Sequence, residues 1–469
     1  MKKVLSVVML VALLLTLAPG AALAQEEVVC ESDVVVQADD WLSKIADKFY
    51  GDVLAFDVIA EATNAKSATD DSYATIENVD IIEPGWKLCI VSPEDAQAML
   101  GGEMGTGMAP AAGVVPTNLS GVIKVGGAHA LSGPIALYGQ PIRNGIDLAV
   151  KQINESGFLG NATLEMIWGD TVGDKEQSIN VFNKLVNQDQ VVGILGPTLS
   201  NSAFAADPVA QEAGVPVIGS SNTASGITEM GNYVFRTSLP ESAVIPNTIK
   251  QTKDALGLEK VAVMYGNDDA FTKSGYDVFA QALADEGIEV LTTETFAKGD
   301  TDFSAQLTKI QALEPDAIVL SALAEEAANI MIQARQLGIP EDIRFIGGNG
   351  FNSPKLFELG GEAANGAISG SAWNISSTSA ASQKFVADYE AEYGTKPDQF
   401  AAQSYTAAWA LATAIRDADS TDRAALRDAL DAMDFIESPL GPFSFDDNRD
   451  PDHPPVVQVM EDGAFVVFK

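Results

Sequence analysis

Two short turns carry the residue types that could do chemistry. Gly196-Pro197-Thr198-Leu199-Ser200-Asn201-Ser202 and Ser220-Ser221-Asn222-Thr223-Ala224 each follow an apolar run and set hydroxyls close to glycine, proline or small residues. Where such a turn opens a helix, free backbone N–H groups lie beside rotatable hydroxyl donors, a cradle for a carboxylate or another small polar group. Ser and Thr are also ordinary helix N-caps, so a single turn of this kind says little, whereas two in adjacent strand-to-helix units point to a ligand. A third turn, Leu131-Ser132-Gly133-Pro134 with Tyr138-Gly139, precedes them. The expected chemistry is capture rather than catalysis. The two histidines, His129 and His453, and the two cysteines, Cys30 and Cys89, have none of the spacing of a metal site. No G-x-x-x-x-G-K-[ST] or G-x-G-x-x-G with an acidic partner is present, and no carboxylate pair or Ser–His arrangement falls at the turns. No metal and no cofactor are expected.

The elements that must position these turns alternate regularly. Ile123–Leu131 reads as a buried strand, and the helix after it sets Ile142, Ile146, Ala149 and Ile153 on one face. Strands at 164–170, 191–195 and 215–219 alternate with helices at 178–187 and 203–212. A second series begins after about Pro240, with strands at 261–265, 288–295, 317–321 and 344–347. Short apolar strands between amphipathic helices predict parallel sheets covered on both faces, and two successive series predict two doubly wound α/β lobes. In such sheets the ligand crevice lies beyond the carboxyl ends of the strands, where the hydroxyl-rich turns fall.

These turns, together with Gly214-Val215-Pro216-Val217-Ile218, Tyr233-Val234-Phe235-Arg236-Thr237, Asp302-Phe303 and Gln333-Ala334-Arg335-Gln336-Leu337-Gly338, occur in an order and spacing that resembles the type I periplasmic substrate-binding proteins of ABC importers, in the Leu/Ile/Val-binding branch. The resemblance covers 122–469. It implies two lobes closing on a small ligand, the first made of 122–240 plus 373–438 and the second of 241–372 plus 439–469. It also implies that Ser200 and Thr223 hold a ligand carboxylate by hydroxyl and backbone N–H, and that the carbonyl of Ser221 accepts from an amine. Tyr138 would line the pocket, and Phe271 and Leu323 would stand where amino-acid binders often present tyrosines. Asn349, in Gly347-Gly348-Asn349-Gly350, occupies a position where such members commonly carry an acid that pairs with the ligand's ammonium. Asn cannot offset a buried positive charge, a loss of several kcal/mol if nothing replaces it. Amides and aromatic or short-chain carboxylates therefore compete with branched-chain amino acids as expected ligands. Trp373, beside the second crossover, would either cover the ligand or serve packing.

The N-terminus has a different organisation. Met1-Lys2-Lys3, an apolar run from Val4 to Leu17 and Ala22-Leu23-Ala24 form the layout of a secretory signal peptide over 1–24. That apolar run is shorter than a spanning helix needs, and no later stretch is long enough, so no transmembrane segment is expected in the mature chain. In an exported protein Cys30 and Cys89 read as one disulfide. A Gly-, Ala-, Pro- and Thr-rich stretch marks a flexible linker over 93–121. Between these, residues 28–92 read strand, helix, helix, strand. Val36 through Gly51 and Ile82-Glu83-Pro84-Gly85-Trp86-Lys87-Leu88 resemble the opening and closing patterns of a lysin-motif (LysM) domain, a small α+β unit of βααβ order. Members of that family bind N-acetylglucosamine-containing glycans, which implies peptidoglycan contacts at Asp40, Trp41, Asn64, Pro84 and Gly85. Asp39-Asp40-Trp41 departs from the family's Gly-Asp-Thr, and the loop from Ala65 to Asp80 is longer than usual.

Charge narrows the partners. Among 469 residues, 65 are Asp or Glu and 28 are Lys or Arg, a formal net charge of −37. Phosphate backbones and anionic headgroups are bound by clustered Lys and Arg, so nucleic acid and membrane surfaces are disfavoured. The expected protein is an exported solute-binding protein of the periplasm or cell-wall space. It would close on a small polar ligand, serve an ABC permease, and be held at the wall by its LysM-like unit. The alternative is a wall-associated sensor using the same binding fold.

Overall fold

The computed structural model describes residues 29–37, 41–50, 55–70, 72–76, 82–92, 95, 96, 99 and 117–469. The expected signal peptide at 1–24, Asp40 of the expected glycan groove, and most of the expected linker at 93–121 lie outside these residues. The chain divides into two units, Met1–Met104 and Gly105–Lys469.

In the first unit, β1 (Ser32–Val35) and β2 (Lys87–Ile90) pair antiparallel, Ser32 opposite Ile90 and Val35 opposite Lys87. Between them come α1 (Leu42–Tyr50) and α2 (Phe56–Ser67). The i, i+3, i+4 spacing of Leu42, Ile45 and Ala46 turns one face of α1 inward, where it joins Ile59 of α2 and Leu88 and Ile90 of β2. Cys30 and Cys89 form a disulfide. A short polar cluster ties the strands to the loop after α2. Tyr73 donates to Asp33 (2.6 Å), and the Lys87 ammonium reaches the same carboxylate at 2.9 Å. These bonds hold the exposed Asp33 carboxyl below its usual range, Tyr73 contributing more than Lys87.

The second unit contains two sheets. In the first, the spatial order is β4 (Asn161–Asp170), β3 (Ser120–His129), β5 (Ile194–Leu195), β6 (Val217–Gly219), β7 (Val234–Arg236), all parallel. Helices α3 (Ala136–Ser156), α4 (Lys175–Lys184) and α5 (Ser200–Glu212) make the crossovers. In the second sheet, β9 (Glu289–Phe296), β8 (Lys260–Gly266), β10 (Ala317–Ser321), β11 (Arg344–Gly347) and β12 (Ile368–Ser371) run parallel. Their connections carry α7 (Ala270–Asp285), α8 (Ser304–Leu313), α9 (Ala324–Gln336) and the short α10 (Lys355–Gly360), while α6 (Glu241–Leu256) leads into the sheet. Every residue of β10 is buried, as expected of an Ile-Val-Leu strand covered on both faces.

The chain passes between the two layers three times. It leaves the first sheet after Arg236. After Ser371 it returns to form α11 (Ala380–Tyr393), α12 (Gln399–Ala418) and α13 (Arg423–Asp431). Of these, α12 packs against α3, with the Gly145 Cα so near the Ala401 carbonyl that a Cβ there would stand 2.3 Å from it. A small ribbon, β13 (Ile436–Ser438) with β14 (Gly441–Phe443), precedes the last passage into the second sheet.

That last passage adds an antiparallel edge to the second of the expected parallel sheets. β15 (Val456–Glu461) joins β12 antiparallel, and β16 (Ala464–Val467) pairs with it as a hairpin. Asp462 and Gly463, both at positive φ, make the two-residue turn that favours this geometry. The second sheet is thus mixed, with an antiparallel edge.

Candidate ligand-binding site

The carboxyl ends of the two sheets face each other across a cavity of about 290 Å³, a volume that includes space open to solvent. From the first sheet it is lined by Tyr138, Ser200 and Ser221, and from the second by Phe271, Leu323 and Asn349. Thr198, Leu199, Gly350 and Phe400 complete it.

Tyr138 stands in the first turn of α3. Gly139 makes this possible, because a Cβ at that position would come within 1.8 Å of the Ala130 carbonyl oxygen. The phenol hydroxyl donates to the Gly350 carbonyl and accepts from the Ala324 N–H, both at 2.8 Å. One buried hydroxyl therefore ties the first layer to two loops of the second. Burial pushes the Tyr138 pKa well above the usual phenol value, so the group stays neutral. Its ring meets Phe400 edge-on, centroids 5.0 Å apart.

Ser200 opens α5, and its hydroxyl accepts from the N–H groups of Thr223 (3.2 Å) and Ala224 (3.3 Å). A hydroxyl has two lone pairs and one hydrogen, so with both acceptor sites taken its proton is the group left for a ligand. The helix N-terminus behind it adds partial positive charge. This end of the cavity suits an acceptor oxygen. Ser221 works differently. Its hydroxyl donates to the Thr198 carbonyl (2.7 Å), leaving its own carbonyl toward the opposite loop, where Asn349 Nδ2 donates to it at 3.2 Å. Thr198 is anchored in turn by the Ala130 N–H and by His129 Nδ1, each 3.1 Å from its hydroxyl. Burial lowers the His129 pKa to about 3, so the imidazole is neutral and places no positive charge under the cavity.

Asn349 follows β11 in a 3₁₀ turn, Asn349–Phe351. Its Oδ1 accepts from Gln399 Nε2, and its backbone N–H donates to Glu241 Oε1 at 3.2 Å. Phe271 and Leu323, at the starts of α7 and α9, are buried and apolar. The α5 and α7 ends also meet directly: Asn201 Nδ2 donates to Asp269 Oδ2 (2.5 Å), and Asn201 Oδ1 accepts from the Ala270 N–H (3.1 Å).

Six of the seven expected contact residues thus share one cavity, and Thr223 lies a layer behind it. Its N–H is committed to Ser200, and its hydroxyl donates to Glu241 Oε1 (3.2 Å). Both groups expected to meet a ligand carboxylate, the Thr223 N–H and hydroxyl, have partners within the protein in this arrangement. Trp373 does not line the cavity. It is buried, with Nε1 donating to Ser382 (2.8 Å) and its ring against Phe385, which selects its packing role. Phe400 and Glu241 were not anticipated. Phe400 comes from a segment 200 positions beyond Ser200, with no local motif, and Glu241 after Pro240 looks like an ordinary acid in a first helical turn.

Of the expected glycan contacts, Trp41 is 57% exposed, with the Lys44 ammonium 5.0 Å from its ring centroid. Asn64 clamps Ile76, accepting from its N–H (2.6 Å) and donating to its carbonyl (2.9 Å), while Pro84 and Gly85 form a turn after the loop.

Comparison with known proteins places this architecture. Residues 122–464 match the family described as periplasmic binding protein. The chain belongs to that family. Among its relatives, the leucine-, isoleucine-, valine-, threonine- and alanine-binding protein of Pseudomonas aeruginosa is 28% identical over 329 residues, 70% of this chain and 87% of that protein. The crystal structure of the branched-chain amino acid transporter substrate-binding protein LivJ of Streptococcus pneumoniae, in complex with isoleucine, is 29% identical. It superimposes with a TM-score of 0.70 over 73% of this chain and 97% of its own. A solute-binding protein of an ABC transporter from Rhodopseudomonas palustris, in complex with 3,4-dihydroxybenzoic acid, is 26% identical, with a TM-score of 0.67 over 73% and 95% of the two chains. This periplasmic binding protein is accordingly a substrate-binding protein of the ABC-transporter kind and not an enzyme. Among the described residues no helix is long and apolar enough to cross a membrane, and no group of side chains could hold a metal ion.

Proposed function

We propose that residues 122–469 capture one small ligand between the lobes, with a carboxylate or carbonyl oxygen against Ser200 and a donor group against the Ser221 carbonyl and Asn349. The ligand is then passed to the permease of an ABC importer. The observation that carries this reading is the Ser200 hydroxyl, whose acceptor sites are filled by two backbone N–H groups and whose proton remains to donate. Tyr138, Phe271 and Leu323 would enclose the rest of the ligand. The relatives bind ligands of two chemistries, branched-chain amino acids and an aromatic carboxylate, and both carry the oxygen end this cradle suits. A thermal-shift panel on the whole mature chain, comparing leucine, isoleucine, valine, small amides and aromatic carboxylates, tests it. A stabilising ligand raises the melting temperature by mass action. If no compound carrying a carboxylate or amide raises it, the reading fails.

We also propose export to the periplasm or cell-wall space, with the N-terminal unit acting as a LysM-like anchor on peptidoglycan. The strand–helix–helix–strand order, the Cys30–Cys89 disulfide and the exposed Trp41 support it. Sedimentation of the whole chain with purified peptidoglycan checks it. Recovery of all the protein in the supernatant, for wild type and Trp41→Ala alike, would contradict it.

A further inference from the structure

Beneath the cavity lies a carboxylate that the neutral Asn349 would not lead one to expect. Glu241 is 1% exposed at the start of α6, where the chain first passes between the lobes. Its Oε1 accepts from Thr223 of the first lobe and from the Asn349 N–H of the second, each at 3.2 Å. Its Oε2 is buried without a partner and presses on Gly348, where a Cβ would come within 2.9 Å of it. Both residues bonded to Glu241 adjoin the Ser221 carbonyl, Thr223 by sequence and Asn349 through its 3.2 Å side-chain bond.

From this arrangement we infer that Glu241 is a positioning residue for the ligand, supplying through Asn349 and Thr223 the negative charge that selects a ligand with a cationic end. The inference rests on the cavity proposed above. It restores, one layer back, the charge that Asn349 does not carry, and so favours a zwitterionic amino acid over a plain carboxylate. A unit charge one hydrogen-bonded residue away, at an effective dielectric of about 20, changes affinity for a charged group on the order of tenfold.

The charge is also gated by pH. Burial raises the Glu241 carboxyl to about 7, against the smaller lowering effects of the Asn349 N–H, Thr223 and Arg236. Arg236, on β7, is the charged group acting on it and is itself paired with Asp450, Nη2 to Oδ2 at 3.1 Å. The turns bonded to Glu241, Ser220–Thr223 and Gly347–Gly350, carry no titratable side chain. Asp398, next to Gln399 at the start of α12, is also buried and raised to about 7. The comparison of variants therefore carries more weight than the profile alone.

The test is calorimetric titration of leucine and of benzoate into the wild type, Glu241→Gln and Glu241→Asp at about pH 5.5 and about pH 8, either side of the Glu241 value. Leucine should bind the wild type about tenfold more tightly at the higher pH and benzoate more weakly. Both dependences should flatten in Glu241→Gln, and Glu241→Asp should keep their sign at reduced size. Leucine affinity independent of pH in the wild type, or an unchanged dependence in Glu241→Gln, overturns the inference. If Glu241→Gln fails to fold, the wild-type profile and its reduction in Glu241→Asp decide. Binding of benzoate without leucine removes this role and leaves the solute-binding reading standing, whereas binding of neither, with no panel compound bound, removes both.

Discussion

Replacing Tyr138 by Phe deletes one oxygen and keeps the ring against Phe400. In the structure that oxygen accepts from Ala324 N–H and donates to the Gly350 carbonyl, both from the opposite lobe and both at 2.8 Å. With the lobes parted, water can reach Ala324 and Gly350, so the loss falls on the closed arrangement. Leaving a buried donor or acceptor unsatisfied costs about 1 to 3 kcal/mol each, so with two groups stranded the closed form should lose about 2 to 6 kcal/mol. Since a ligand is held by that form, its Kd should weaken at least about thirtyfold. Calorimetry with the best ligand of the panel measures this, and the melting temperature of the ligand-free variant serves as control. The reasoning is refuted if Kd stays within about twofold of wild type. It is equally refuted if the ligand-free protein loses as much stability as the complex, since the hydroxyl would then be supporting a fixed core.

Other perturbations separate the parts of the account. Ser200→Ala removes the proposed ligand donor and strands the Thr223 and Ala224 N–H groups, so ligand affinity should fall at least about tenfold in calorimetry, and the ligand-free protein should lose about 2 kcal/mol or more of stability. Replacing both Cys30 and Cys89 by Ser reopens a loop spanning 59 positions, which chain entropy puts at about 4 kcal/mol, and should lower the melting transition of the first unit in calorimetric scans without changing ligand affinity. Glu241 binds its proton more tightly when folded, raised from 4.5 to about 7, so the unfolded chain releases it first as pH rises. Its contribution of about 3 kcal/mol is therefore present below about pH 4.5 and lost as pH rises to about 7. In urea unfolding, Glu241→Gln should show a shallower loss over that window than wild type, and parallel curves would contradict it.

The turns of the first lobe were legible because their geometry is local. A glycine or proline, a hydroxyl and an apolar strand end fall within seven residues at Gly196–Ser202, and the same logic exposes Ser221. Most strands were legible because a chain buried on both faces, such as Ala317–Ser321, must be apolar throughout. What escaped depends on distant pairing. Phe400 enters the cavity from a helix that lies beside α3 only after two passages between lobes, and no periodicity in its own segment announces this. Glu241 was legible as a residue but not as a buried one, because its burial comes from Thr223 and Asn349 of two different loops. The β15–β16 hairpin had its signal in Asp462-Gly463, whereas the regular strand–helix alternation before it signals parallel pairing. Thr223 lies in the expected turn, while its bonds to Ser200 and Glu241 come from two other segments and have no local signal.

The central claim is that one small ligand sits between the two lobes, oxygen end toward Ser200. A crystal structure of the chain with the panel compound that raises its melting temperature most tests this directly. The account predicts a ligand oxygen about 3 Å from Ser200 Oγ and a donor group facing the Ser221 carbonyl and Asn349. A ligand bound outside this cavity, or turned with its donor end against Ser200, would contradict it.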